Sequence, residues 1–261
     1  METITSRSNP LCAHFRKLAS SRSYREETGE FLCDSPKLLQ EAALWNASVS
    51  ALLYTEGTRL PELPAGVRTA RVSESVMRSV SPMETPQGVV FSCAASRLRP
   101  PERLETEGRL LVLDGVQDPG NVGTILRAAD AFGGTVFLLP GCADVYNPKT
   151  VRAGMGVHFR SAIYRGTLPE LTALLKAAAL PLYGAALRED TADVRQVDLR
   201  RCAMAVGSEG RGLSVEVLAA CDRTVRIPMD PRCESLNAAS AAAVLLWEAA
   251  RGEPLSGGGS G

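Results

Sequence analysis

Three stretches of this 261-residue chain hold the residue types and spacings that could do chemistry. The first, LLVLDGVQDPGNVGTILRAADAFG (110–133), passes from an apolar run through a turn into a helical pattern carrying Asn121 and a lone Arg127. Asn121 stands where a side-chain oxygen could cap the helix. Arg127 lies opposite the apolar face formed by Val122, Ile125, Ala129 and Phe132, with the small Gly123 and Ala131 one turn to either side. It can be read as a solvated arginine, or as a guanidinium with cleared space for an approaching phosphate.

The second stretch, AMAVGSEGRGLS (203–214), places Gly207, Gly210 and Gly212 around Glu209, so the backbone can come close to a ligand beside one carboxylate. Its spacing is GxxGxG and not the GxGxxG of dinucleotide-binding folds. It reads as an ordinary glycine-rich turn or as a ligand loop. In the third, VRIPMDPRCESLNAASAAAVLLWEAAR (225–251), Pro228 and Pro231 hold a loop extended before Ser235, Leu236 and Asn237 open a helix. The alanines of that helix suit either high helix propensity or close approach by another element.

Each stretch has one layout, a strand, then a polar loop, then a helix. The elements between them alternate in the same way: strand 135–139, helix 148–156, strand 161–165, helix 168–179, strands 182–187 and 202–206, helix 214–220 and strand 224–227. Such alternation predicts an α/β fold with a mostly parallel sheet covered by helices on both faces. All three loops would then leave one edge of the sheet and converge on one pocket. Upstream, a helix over 36–44, a strand over 49–54, a short helix over 72–79 and a strand over 88–93 predict a smaller α/β domain. The charged, proline-bearing SRLRPPERLETEG separates the two parts. The expected division is therefore 1–97 for the first domain, 98–108 for a linker, 109–252 for the second domain and 253–261 for a disordered tail.

Lys plus Arg and Asp plus Glu both number 29, so net charge alone points to no nucleic acid. The N-terminal arm differs, because Arg7, Arg16, Lys17, Arg22 and Arg25 precede the first acidic pair, Glu26-Glu27, and make it a candidate RNA contact. Seven scattered cysteines without a CxxC pair and only two histidines argue against a metal site and suggest a reducing compartment. No segment resembles a signal peptide or a membrane span, so a soluble, cytoplasmic protein is expected.

Taken in this order and spacing, the three stretches resemble the three motifs of the SpoU/TrmH branch of the SPOUT RNA methyltransferases, and YNPKTVRAGMGVHFR (146–160) fits between them. ITSRSNPLCAHFRKLAS (4–20) and GEFLCDSPKLLQEA (29–42) are similar to the small ribosomal-protein-like substrate-binding domain that precedes many such enzymes. The resemblance implies a C-terminal trefoil knot, an exception to the rule that chains do not thread loops. It also implies S-adenosylmethionine as cofactor, a homodimer, and methylation of a ribose 2′-hydroxyl in structured RNA, ribosomal or transfer. By the same resemblance Gly207, Ile227, Met229 and Leu236 lie at the cofactor, and Asn121, Arg127, Glu209, Ser235 and Asn237 at the catalytic centre. Pro231 and Ser35 stand where the family commonly has glycine. Two other readings are a non-catalytic RNA-binding relative and a nucleotide-binding oxidoreductase; the five candidate catalytic residues weigh against the first, and the missing GxGxxG against the second.

Overall fold

Asn9-Pro10, Ser35-Pro36 and Asp118-Pro119 each set a side-chain acceptor before a proline whose fixed φ suits the first turn of a helix. In the computed structural model, which describes residues 2–104, 109–188 and 191–251, all three pairs start helices. The end of the expected linker and the expected tail lie outside the described residues.

Two compact units are formed, the first running to Arg97 and taking in Asp144–Arg160. Its elements in order are β1 (Glu2–Ile4), α1 (Pro10–Ser20), α2 (Arg22–Thr28), β2 (Glu30–Asp34), α3 (Pro36–Leu44), β3 (Val49–Tyr54), β4 (Arg68–Val72), α4 (Glu74–Val80) and β5 (Val89–Ala94). The strands form a mixed sheet in the order β1-β4-β3-β5-β2, with β5 antiparallel to both its neighbours. Alternation sends successive side chains to opposite faces. Leu32, Leu53 and Val90 pack under α1 and α4 with Phe15, Leu18 and Met77, whereas Phe31, Leu52 and Phe91 pack under α3 with Leu38 and Leu39. Ser35 takes φ 108°, a conformation that favours glycine, while its hydroxyl oxygen accepts from Leu38 N at 3.2 Å.

In the second unit, Leu110-Leu111-Val112-Leu113 is apolar at every position, as only a strand covered on both faces can be. Its elements are β6 (Arg109–Asp114), α5 (Pro119–Ala131), β7 (Thr135–Leu138), β8 (Ile163–Arg165), α7 (Leu168–Ala177), β9 (Leu182–Ala185), β10 (Ala192–Asp193), β11 (Cys202–Gly207), α8 (Val215–Ala220), β12 (Arg223–Arg226) and α9 (Ala238–Ala250). The remaining helix, α6 (Pro148–Gly154), falls in the segment that packs with the first unit. The sheet order is β10-β12-β9-β11-β6-β7-β8 and every pairing is parallel. Leu110, Val112 and Ala203 face α7 and α8, whose Leu171, Leu175 and Val217 close that side. Across the sheet α5 and α9 pack on each other, and α9 also covers β11 and β6. Among the described residues no helix is long and apolar enough to cross a membrane.

Candidate active site

Parallel strands deliver their C-terminal ends to one edge, and here β6 and β11 end side by side with Asp114 opposite Gly207. The glycine-rich loop leaves that edge and folds straight back. Ser208 and Gly212 exchange backbone hydrogen bonds at 3.1 and 2.9 Å, leaving Glu209, Gly210 and Arg211 as the tip. The turn needs glycine twice, for different reasons. Gly212 has φ 67°, and a Cβ on Gly207 would overlap the carbonyl group of Gly212 and the amide nitrogen of Leu213. Asp114 anchors the far end of the loop, since its Oδ2 accepts from Ser214 N at 2.6 Å.

Sequence spacing suggests Asn121 as the cap of α5, and the structure corrects this. The helix starts two residues earlier, at Pro119, and the cap is Asp118, whose Oδ1 accepts from Asn121 N at 2.8 Å. Asp118-Pro119 carried the signal, an acceptor followed by proline at the first helical position. Freed from capping, the Asn121 side chain joins the other two loops. Its Nδ2 donates to Glu209 Oε1, and its Oδ1 accepts from Asn237 Nδ2 at 3.1 Å. Asn237 in turn caps α9, its Oδ1 accepting from Ala239 N at 2.9 Å and Ser240 N at 3.3 Å. One residue from each stretch therefore meets in a single hydrogen-bonded chain.

Among the described residues, the other candidates do not join this chain. Arg127, on the exposed face of α5, has no hydrogen-bond or ion-pair partner among the described residues. Ser235 is exposed, and among the described residues only its carbonyl is engaged, by the Cys233 thiol. Ile227, Met229 and Leu236 are apolar yet only half-buried, in a segment without helix or strand. The backbone amides of Met229 and Leu236 have no partner among the described residues. Half-buried apolar side chains next to free amide groups suit a flat heterocycle, which packs by its face and hydrogen-bonds by its edge. Pro231 fits this loop: it occupies the second position of a turn closed by Cys233 N donating to Asp230 O at 2.8 Å, where proline is favoured. Arg232 Nε donates to Asp230 Oδ1 at 2.8 Å, and that bond holds the carboxyl below its ordinary range. Among the described residues no group of three or more His, Cys, Asp or Glu could hold a metal ion.

The basic residues of the first unit divide. Arg7 and Lys17 are exposed, and Arg16 donates from Nη2 to Arg7 O at 3.0 Å. Lys17 Nζ sits 5.2 Å from the Tyr24 ring centroid, and Arg22 pairs with Glu26 at 2.8 Å. Arg25 is a correction to the expected RNA contact, because its side chain is buried. Its Nη2 and Nε donate to Asp144 Oδ2 at 2.6 and 3.0 Å, and Nη1 donates to Leu18 O at 2.6 Å, which leaves it no face for a phosphate. Arg25→Ala is expected to destabilise the protein by about 3 kcal/mol, the lower end for a broken buried pair, because it leaves a carboxylate that is 14% exposed without its ion-pair partner. The check is a denaturant titration, with RNA affinity measured on the fraction that remains folded; a neutral stability effect would contradict the buried pairing.

Residues 108–247 match the SpoU rRNA Methylase family, and residues 9–90 match the MRM3-like substrate binding domain. The chain is 35% identical to 23S rRNA (guanosine(2553)-2′-O)-methyltransferase RlmP of Bacillus subtilis, with 95% of this chain and 98% of that one covered. It is 33% identical to 23S rRNA (uridine(2479)-2′-O)-methyltransferase of Streptomyces viridochromogenes, with 95% and 91% covered. Among solved structures, the AdoMet-bound rRNA methyltransferase from Sinorhizobium meliloti superposes with a TM-score of 0.85 at 28% identity, covering 97% of this chain and 99% of that one. With three loops joined at one sheet edge and a family match over more than half its length, this chain belongs to the SpoU rRNA methylase family.

Proposed function

We propose that this chain transfers a methyl group from S-adenosylmethionine to a ribose 2′-hydroxyl of 23S-type ribosomal RNA. The observation that carries the reading is Asn121 held between Glu209 and Asn237, which brings all three loops to one place. The names of its relatives supply the substrate class, and because one acts on a guanosine and another on a uridine, the base at the target is left to this chain's own RNA contacts. Ribosomal RNA is favoured over transfer RNA on the same ground.

Gly207, Ile227, Met229 and Leu236 would hold the cofactor, which supplies the methyl group on a positively charged sulfonium. Asn121, Ser235 and Asn237 would shape the pocket around the hydroxyl, and Glu209 would bring the one carboxylate to it. Residues 1–97 act as the substrate-binding domain and 109–252 as the methyltransferase domain, a division that the two family matches support. A trefoil knot belongs to the reading too. After β12, on the outer side of β9, the chain returns to lay α9 against β11 and β6. The protein is read as cytoplasmic.

The test is titration calorimetry with S-adenosylmethionine, followed by methyl transfer to a 23S rRNA transcript and mass spectrometry of the nucleosides. Heat from the cofactor and a 2′-O-methylated nucleoside are expected. A base-methylated nucleoside, or no cofactor binding, would sink the reading. The non-catalytic alternative predicts RNA binding with no methylated product.

The working unit is proposed to be a homodimer joined through α5 and α9. Trp247 is 60% exposed and packs edge-on against Phe132, and Val244 beside it is also exposed. An aromatic side chain of this size, central in an interface, commonly contributes about 2 kcal/mol or more. Trp247→Glu is therefore expected to yield a monomer near 27.8 kDa by light scattering where the unchanged protein gives twice that mass. A dimer that survives the substitution would place the contact elsewhere.

A further inference from the structure

The first unit has a cleft that the methyltransferase reading does not use. The C-terminal ends of β2 and β3 and the N-terminal end of β5 meet at one edge of its sheet. There the first turns of α3 and α4, the loop 55–59 and the approach to β5 border an open cleft of about 490 Å³. That lies in the range of about 300–1,000 Å³ that holds a ligand of small-molecule size. One side is open, as a residue of a polymer would need.

The floor is built closely. Thr55 is buried, Thr55 N donates to Gly88 O at 2.9 Å, and the Thr58 hydroxyl donates to the same oxygen at 3.1 Å. Gly88 has φ 81°, and a Cβ there would meet the Thr58 and Thr55 hydroxyl oxygens at 2.8 and 3.0 Å. The rim is different. Gln40 and Gln87 both line the cleft and are exposed, and neither side-chain amide has a hydrogen-bond partner among the described residues. Its charged lining residues are Glu56, Arg59 and Glu74, and Glu56 is paired with Arg71 at 3.6 Å.

A cleft without excess positive charge, rimmed by two free amides, is poorly suited to a phosphate track and well suited to a base edge, because each amide offers donors and an acceptor in one plane. Sequence-specific recognition of RNA mostly takes unpaired bases splayed out of loops, read on their edges by such groups. We propose that this cleft takes one unstacked nucleobase of the substrate RNA and that Gln40 and Gln87 read its edge. The inference rests on RNA being the substrate, and deepens that reading by naming residues that choose which RNA.

The test uses the full chain and two readouts, binding of a 23S rRNA transcript without cofactor and methyl transfer to it. In the double variant Gln40→Ala, Gln87→Ala, RNA affinity is expected to fall about tenfold or more, the scale of one lost bidentate base contact. Turnover at saturating RNA, S-adenosylmethionine affinity and the log–log salt slope of RNA binding should stay unchanged. RNA affinity within twofold of the unaltered protein would overturn the proposal. So would a salt slope reduced by about one unit, which signals a lost phosphate contact. Tight RNA binding that depends on the two glutamines, without methyl transfer, would keep the cleft and refute the enzymatic reading; no RNA binding at all by the unaltered protein would refute both.

Discussion

Arg127→Ala is expected to lower methyl transfer about a thousandfold, the upper range for loss of one preorganised donor to a developing oxyanion, while S-adenosylmethionine affinity stays within twofold. Arg127 is exposed and has no partner among the described residues, so its removal should leave the fold intact, within about 0.5 kcal/mol. The chemistry explains why so much should depend on it. A ribose hydroxyl is a poor nucleophile, and its oxygen must gain negative charge as the proton leaves and the bond to the methyl carbon forms. A guanidinium with a pKa above about 12 is a poor acceptor for that proton. Its five donors in a planar fork can instead clamp the neighbouring phosphate and stabilise the oxygen, with the proton passing to phosphate or water. Arg127→Lys should then recover only a small part of the rate, because it keeps the charge and loses the fork. Single-turnover transfer at saturating cofactor reads the effect directly. Wild-type rates in Arg127→Ala would mean that the side chain is merely solvated.

Gly207→Ala is expected to weaken S-adenosylmethionine binding by at least about a hundredfold, since overpacking of roughly 3 kcal/mol falls on the loop that would hold the cofactor. The added methyl group has nowhere to go, because its neighbours are the backbone of Gly212 and Leu213 and not a side chain that could swing aside. Relief would require breaking the two backbone hydrogen bonds between Ser208 and Gly212, which carries Glu209 away from Asn121. Two neighbouring glycines calibrate the result. Nothing lies within 4 Å of a Cβ on Gly210, so Gly210→Ala should bind cofactor almost normally. Gly212→Ala has room but a φ of 67°, and should show an intermediate loss from about 1 kcal/mol of backbone strain. Calorimetry on the three variants gives the ranking, and equal affinities would show that the loop does not hold the cofactor.

Local pattern alone determined the three strand-loop-helix stretches, their order, and hence a parallel sheet whose loops share an edge. These features are legible because hydrophobic period, proline and glycine act over a few residues. Glu209 stands out in the same way, whereas Asn237 is marked as a site residue only by the resemblance to the SpoU/TrmH motifs. Neither α1 nor α2 is evident from local pattern, because Leu11, Phe15 and Leu18 of α1 are interrupted by Arg16 and Lys17, and α2 buries no apolar residue. Only the tertiary structure decided which arginines of the basic arm face solvent. Arg25 is buried because the chain brings it a carboxylate from 119 residues away, and Asp144 reaches it because the segment Asp144–Arg160 packs with the first unit while lying between strands of the second. The role of Asn121 was undecidable locally for a similar reason. Whether an asparagine near a helix start caps that helix or reaches outward depends on which residue takes the cap, and on what stands opposite. Here Asp118 takes the cap, and Glu209 and Asn237, 88 and 116 residues further on, supply the partners. Hydrogen bonds and ion pairs between distant segments form where folding has already brought the groups together, and spacing along the chain carries no record of that meeting.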